Sequence, residues 1–246
     1  MARAGTTSSY LVSSTSLGSP ITSIPFTTST WFYKPASGSD TCIISFGDSS
    51  SVNLYGFRYT GSASTIYAYL GTGATDVDTT GMVTGWNHIC WTVSSTTSRI
   101  FNINGITGTT HTTSKSITDS LNRWSVLAFC DSSPSNYGVS DQPVFDAAVW
   151  NIALSHEDCQ SIYNYKLCPL SVRPKNLVAY APLNDGDGGA RDFINRRNFN
   201  ESGIVGLSDN ASIKYLRRSF SGFTPGVPPP PPVPPNLRSV FRGFSF

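Results

Sequence analysis

Hydrophobic and polar residues alternate most regularly between residues 81 and 105, in the stretch GMVTGWNHICWTVSSTTSRIFNING. Side chains of a strand point to its two faces in turn, so this stretch predicts a strand with large residues on both faces. One face carries Trp86, His88, Cys90 and Thr92, and the other carries Asn87, Ile89, Trp91 and Val93. The polar run 94–98 predicts a loop, residues 99–103 a returning strand, and Asn104-Gly105 a tight turn. We therefore predict a hairpin in mid-sheet, covered on both sides, with Trp86 in the core.

Similar short alternating runs recur along the chain and predict further strands. They are residues 6–17 (an edge strand), 26–33, 41–47, 55–59, 65–70, 123–130, 142–150 and 177–182. Loops are predicted between them at 48–53, 71–81 and 131–143. Strands of this length and spacing are typical of an antiparallel β-sandwich.

One helix is predicted, over residues 155–167. Ser155 can cap its start, with Asp158 three residues on as a capping-box partner. A mostly apolar stripe follows at helical spacing, formed by Cys159, Ile162, Tyr163 and Lys166. Pro169 ends the helix.

Three of these stretches together resemble a known family. The W-N-H hairpin, FTTSTWFYKP at 26–35 and VFDAAVWNIALS at 144–155 are similar, in this order, to motifs of laminin-G-like, concanavalin A-like jelly rolls. The resemblance covers residues 1–168 and implies an all-β, antiparallel β-sandwich jelly roll. The later stretch LVAYAPLNDGDGG resembles an opening strand of the same family, with Ala181 at its usual Trp position, and is interpreted as a displaced edge strand. The order of the two, with the sandwich first and this stretch after it, is similar to the order in structural proteins of tailed bacteriophages.

Three segments are therefore predicted: the sandwich at 1–168, an extension at 169–222 that adds an edge strand, and an extended arm at 223–246. Five consecutive prolines at 228–232 favour polyproline II in the arm. The arm then carries apolar and basic residues suited to anchoring in a partner. These predicted partner-binding residues are Leu237, Arg238, Val240, Phe241, Arg242, Phe244 and Phe246.

Composition limits where the protein works. No apolar run approaches the roughly 20 residues that span a bilayer, and the N-terminus lacks the apolar stretch of a signal peptide. We therefore expect synthesis in the host cytoplasm, without membrane contact.

The five cysteines, an odd number, favour free thiols; three in strand patterns (Cys42, Cys90 and Cys130) are predicted to be buried. The body up to residue 165 has six Lys and Arg against ten Asp and Glu, and the remainder has eleven against five. A basic tail on an acidic body favours a protein-docking arm rather than specific nucleic-acid binding.

Catalytic and metal chemistry find little support in the residues. The chain has two glutamates, Glu157 and Glu201, and its two close aspartate pairs, Asp76/Asp78 and Asp185/Asp187, lie in predicted loops. A glycosidase needs two placed carboxyl groups. His88 and Cys90 share a strand face, but His88 is interpreted as a core residue with a hydrogen-bonded ring. His111 and His156 are scattered in a loop and at the helix start, which disfavours a transition-metal site. No cofactor is predicted; calcium is possible at Asp48, Asp76, Asp78, Asp131 or Asp141, with no site assigned.

The function predicted first is that of a non-enzymatic virion structural protein of a tailed phage. It would decorate or cement the capsid through the arm, with the major capsid protein or other virion proteins as partners and with self-association. The alternative is a carbohydrate-binding module of a tail fibre or cell-surface protein, with surface glycans as ligands. Tyrosines could then stack on sugar rings or simply pack on the sheets: Tyr55, Tyr59, Tyr67, Tyr69 and Tyr137.

Overall fold

A computed structural model of the 246-residue chain describes most of residues 2–208. The described residues are 2–4, 10–13, 19–36, 40–47, 54–60, 65–71, 75–118, 121, 123–128, 142–183, 191–202 and 206–208. The predicted anchor residues of the arm, and Cys130, lie outside them.

Two antiparallel sheets of eight strands each form the body. The first has the order β10-β9-β8-β3-β12-β1-β16, with β13 also paired to β12. Its strands are β1 (Ala2–Ala4), β3 (Phe26–Lys34), β8 (Gly85–Ser95), β9 (Ser98–Ile103), β10 (Ile106–His111), β12 (Val144–Trp150), β13 (Leu177–Ala181) and β16 (Gly206–Ser208). The predicted β-sandwich is confirmed.

The second sheet has the order β14-β15-β2-β11-β4-β5-β6-β7. Its strands are β2 (Tyr10–Ser13), β4 (Thr41–Gly47), β5 (Leu54–Thr60), β6 (Thr65–Gly71), β7 (Thr75–Asp78), β11 (Arg123–Val126), β14 (Arg191–Asp192) and β15 (Arg197–Ser202). Tyr55, Phe57 and Tyr59 of β5 point inward and are fully or almost fully buried in the core that includes Ile89, Trp91 and Val93 of β8.

The opposite face of β8 is also covered, as predicted. Helix α1 (His156–Tyr165) packs there, and Cys90 of β8 shares a second apolar cluster with Cys159 and Ile162 of the helix. Ser155 caps α1 by accepting from the Asp158 backbone N–H, and the Asp158 side chain accepts from the Ser155 N–H. The predicted capping box is therefore confirmed, and it fixes where the helix begins. A short 3-10 helix, Pro169–Ser171, follows.

Several sequence predictions are wrong. Residues 75–78 form a strand rather than part of a loop, and His111 ends strand β10 rather than lying in a loop. Strand β2 is not at an edge, because β15 pairs with it on one side and β11 on the other. Trp86 is half-buried near the start of β8 instead of in the core. It packs edge-on against Phe145, with ring centroids 4.9 Å apart, while Trp91 on the opposite face is fully buried.

An asparagine pair fixes the hairpin. The Asn87 side chain donates to the carbonyls of Val83 and Gly85 and accepts from the Val83 N–H. The Asn104 side chain accepts from the His88 N–H and donates to Asn87 at 2.9 Å. Asn104 has a φ of 52°, which asparagine tolerates better than most residues, so the predicted Asn-Gly turn is confirmed. The segment before β8 can bend because the Asn87 side chain forms the hydrogen bonds that its backbone groups would otherwise lack.

Asp146 of β12 has a left-handed backbone and accepts a hydrogen bond from the Tyr180 hydroxyl. Its φ is 53°, and it sits where the register of β12 against β3 shifts. Burial raises the pKa of the Asp146 carboxyl to about 6, although the hydroxyl of Tyr180, donating at 2.7 Å, acts in the opposite direction. The folded state therefore binds a proton here more tightly than the unfolded chain does.

Replacing Asp146 by asparagine should change the pH dependence of stability. A raised pKa in the folded state means that this carboxyl stabilises the fold below its ordinary pKa, and that this contribution is lost as pH rises through about 6. Asp146→Asn should therefore be more stable than the parent at pH 7, by about 1–3 kcal/mol, with the difference shrinking towards pH 4. Urea unfolding of both proteins between pH 4 and 8 measures this. Parallel stability curves would contradict the assignment.

Candidate carbohydrate-binding site

The tyrosines proposed for sugar stacking divide between the two faces of the second sheet. Tyr55 and Tyr59 point inward and are buried, with exposed fractions of 0% and 1%. Tyr67 and Tyr69 are half-buried on the outer face of β6. Tyr137 lies outside the described residues. Of the four described tyrosines, the outer pair is therefore the one placed to meet a ligand.

His88 and Cys90 are enclosed beneath α1. The Nε2 atom of His88 lies 2.7 Å from the Ser29 hydroxyl, which confirms the predicted hydrogen-bonded core histidine. Burial lowers the pKa of His88 to about 3, with a smaller effect of the Lys166 charge. Burial likewise raises the pKa of the Cys90 thiol. A neutral imidazole and a protonated thiol, both shielded from solvent, are suited to packing.

Asp76 and Asp78 are committed to joining the two sheets. Asp76 accepts from Arg99 of β9 at both carboxylate oxygens, at 2.7 and 2.8 Å. Asp78 accepts from the backbone N–H groups of Thr80 and Thr109. Within the described ranges, no group of three or more His, Cys, Asp or Glu side chains could hold a metal ion. The other calcium candidates, Asp48, Asp131 and Asp141, lie outside those ranges, so the structure tests calcium binding at none of them.

A cleft of about 310 Å³ opens at one end of the described sandwich. Five segments line it: the segment before β3, strand β11, the residue after β12, strand β13 and the turn after β14. Its polar lining and its one tryptophan are Ser19, Thr22, Trp124, Asn151, Asp192 and Asn195. Trp124 is almost fully buried and packs edge-on against Phe199, with ring centroids 5.0 Å apart, so its part of the lining is held in place by the core.

Asp192 organises one wall of the cleft. Although buried, it accepts from the backbone N–H groups of Tyr180, Ile194 and Asn195, at 3.3, 3.0 and 3.2 Å. Its second oxygen accepts from Asn195 Nδ2 at 2.7 Å, and the same nitrogen donates to the Val178 carbonyl at 3.2 Å. With its nitrogen engaged in the turn, Asn195 has its Oδ1 atom to offer as an acceptor.

Two other lining residues, Asn151 and Ser19, supply donors. Asn151 Oδ1 accepts from Asn176 Nδ2 at 3.2 Å, which leaves Asn151 Nδ2 to donate. The Ser19 Oγ atom accepts from the Ile21 N–H at 3.2 Å, which leaves its hydroxyl hydrogen to donate. Donors and an acceptor held around one cavity match sugar hydroxyls, because each hydroxyl both donates and accepts.

These residues were not identified from sequence, although two signals for them are present. Asp192 and Asn195 stand three residues apart, a spacing that suits a side-chain-stabilised turn. Asn151 directly follows the tryptophan of the late family motif. The predicted anchor residues of the arm, 237–246, lie outside the described part of the chain, so the structure does not place them. No helix in the described ranges is long and apolar enough to cross a membrane.

Solved structures of similar fold include carbohydrate-binding proteins. A candidate carbohydrate-binding protein from Bacteroides ovatus superposes with a TM-score of 0.60 at 16% identity, over 85% of this chain. The chain covers 60% of that protein's length. The CBM40 domain of the Ruminococcus gnavus IT-sialidase, bound to α2,3-sialyllactose, gives a TM-score of 0.47 at 12% identity, over 56% of this chain and 82% of that domain. Trypanosoma rangeli sialidase gives 0.44 at 9% identity, over 58% and 23%.

The sequence comparisons give one family match. No curated protein matches the chain. Neither the sequence comparisons nor the solved structures bear on the bacteriophage context, which stays a prediction. The family model for the concanavalin A-like lectin/glucanases superfamily matches residues 5–160, more than half of the chain. The fold is thus lectin-like, and the chain belongs to the concanavalin A-like lectin/glucanases superfamily.

Proposed function

We propose that this protein is a carbohydrate-recognising module and that the cleft between Asn151 and Asn195 holds a sugar unit. The observation that carries the proposal is a pair of hydrogen-bonded amides in the lining of one cavity: Asn195 retains an acceptor and Asn151 a donor. Small-ligand sites are typically concave and carry a few fixed polar groups. The cleft meets both conditions.

Preorganisation makes this arrangement suited to binding. Asp192 is buried and holds the turn that carries Asn195 through four hydrogen bonds. The amide of Asn195 therefore loses little freedom when a ligand arrives, which lowers the entropic cost of binding. The likeness to a candidate carbohydrate-binding protein supports the same function at the level of the fold.

We propose recognition without catalysis. Asp192 is the one carboxyl group among the described residues that line the cleft, and its oxygens already accept from the turn. Glycoside hydrolysis requires two carboxyl groups, one of them able to give a proton. A role in capsid decoration stays a prediction, because the arm on which it depends lies outside the described residues.

Asn195→Ala and Asn151→Ala should each weaken binding of an oligosaccharide selected on a glycan array. Each removes a hydrogen bond to the sugar, so the dissociation constant should rise by about tenfold. Calorimetric titration of the purified protein measures the change. Asn164→Ala is the matched control, since Asn164 is an exposed asparagine of α1 away from the cleft lining.

Equal affinities for the parent, both cleft variants and the control would show that the sugar binds elsewhere. Thermal melts of the four proteins separate this outcome from unfolding. A parent protein that binds no glycan on the array would contradict the proposed function itself.

A further inference from the structure

A charged and aromatic surface lies on the outer face of the second sheet. Arg58 of β5, Tyr67 of β6 and Val77 of β7 are register partners across three neighbouring strands, and Tyr69 follows two residues after Tyr67. With Asp40 beside them, these five residues form what we call the Arg58 face. Val77 is 40% exposed, although it stands in a strand. The surface is separate from the cleft, because none of its members lines that cavity.

Two tyrosine rings hold the Arg58 guanidinium in place. Its Cζ atom lies 5.7 Å from the ring centre of Tyr67 and 5.6 Å from that of Tyr69. The Nε atom of Arg58 is enclosed and has no hydrogen-bond partner. A cation that has lost water at one edge and is fixed between rings is predisposed to bind an anion at its open edge.

The carboxylate that Arg58 now contacts is weakly held. Arg58 Nη1 lies 3.3 Å from Asp40 Oδ2, and the two side chains are 27% and 45% exposed. Pairs this exposed contribute little, about 0–1 kcal/mol. The carboxylate of a ligand could therefore replace Asp40 at the Arg58 guanidinium with little loss of free energy.

We propose that the Arg58 face is a second binding site, specific for sugars that carry a carboxylate. The acid group binds the guanidinium in place of Asp40, while the C–H face of the sugar ring packs on Tyr67 and Val77. Arginine suits this role because its planar group can donate two parallel hydrogen bonds to one carboxylate. A neutral sugar lacks the anionic partner and has only the apolar contact.

A matched pair of ligands tests the charge requirement. Oligogalacturonate and its fully methyl-esterified form share the same ring and differ in the charge of the acid group. Titrated into the full chain at low salt, the acid form should bind at least about tenfold more tightly than the ester, as expected for loss of a charge-assisted contact. Equal affinities, or no binding of the acid form, would overturn the proposal.

Variants test the residues. Arg58→Gln should weaken binding of the acid form by about tenfold or more, and Arg58→Lys should fail to restore it fully, because lysine lacks the fork. Asp40→Asn should tighten binding by up to about fivefold, because the competing carboxylate is removed. Asn195→Ala, in the cleft, should leave binding of the acid form unchanged.

Three results would overturn the assignment. Parental affinity in Arg58→Gln would remove Arg58 from the site. Loss of binding in Asn195→Ala alone would place the acid sugar in the cleft. Equal binding of a polyglutamate peptide of matched charge would show that the surface reads charge without a sugar. Melting curves of each variant show whether a loss of binding reflects loss of fold.

Discussion

Trp91→Ala is expected to destabilise the protein by roughly 3–5 kcal/mol, as for other buried aromatic side chains. Trp91 is completely buried between the sheets. Its ring lies 5.5 Å from that of Phe26, 6.4 Å from Phe57 and 6.1 Å from Phe101. The truncation removes these contacts and leaves a cavity bounded by both sheets. The loss is severe against a typical net stability of about 5–15 kcal/mol.

Trp86→Ala is the matched control. The two tryptophans lie on opposite faces of β8, and Trp86 is half-buried on the outer face. We therefore expect a clearly smaller loss from Trp86→Ala, and urea unfolding of both variants measures the difference. Equal losses would show that the outer aromatic cluster around Trp86 stabilises the fold as much as the core does.

Asp76→Ala is expected to cost about 3–5 kcal/mol, because it leaves the buried charge of Arg99 without a partner. Arg99 is 1% exposed, and Asp76 receives both of its hydrogen bonds from β9 of the opposite sheet. Arg99 also donates to the Thr96 carbonyl at 2.7 Å. The pair therefore ties the edge of one sheet to the other.

A double variant separates loss of the pair from burial of a lone charge. Asp76→Ala combined with Arg99→Met removes both charges and keeps apolar volume, so it should recover much of the stability lost in Asp76→Ala. Guanidinium unfolding of the single and double variants provides the comparison. A double variant no more stable than the single one would contradict the explanation based on an unpaired charge.

Alternation was sufficient for the sheets but not for their edges. The two faces of β8 were predicted residue by residue, because one row packs in the core and the other packs under α1. Strand β7 was missed because its inward residues are Asp76 and Asp78, which have the pattern of a polar loop. Asp76 is satisfied by an ion pair with Arg99, 23 positions away in sequence, and Asp78 by backbone N–H groups of Thr80 and Thr109. A pattern of hydrophobic residues cannot reveal such a pairing.

The candidate site was less predictable than the fold. The cleft residues come from segments that are distant in sequence, and β15 and the turn before it follow β13 on the chain but join the opposite sheet. Tyr55 and Tyr67 both lie in alternating stretches that predict strands. Tyr55 is buried and Tyr67 is half-buried because their side chains point to opposite faces of the second sheet. The asparagine amides gain their meaning from partners such as Asp192 and Asn176, which only the folded chain brings together.

Chemical-shift mapping tests the proposed site most directly. The isotope-labelled protein is titrated with the oligosaccharide that binds best on a glycan array, and backbone and side-chain amide signals are followed. We predict that the largest shifts fall on the side-chain amides of Asn151 and Asn195 and on the backbone N–H of Ile194. Shifts that leave these three signals unchanged and gather on another surface would contradict sugar recognition by the cleft.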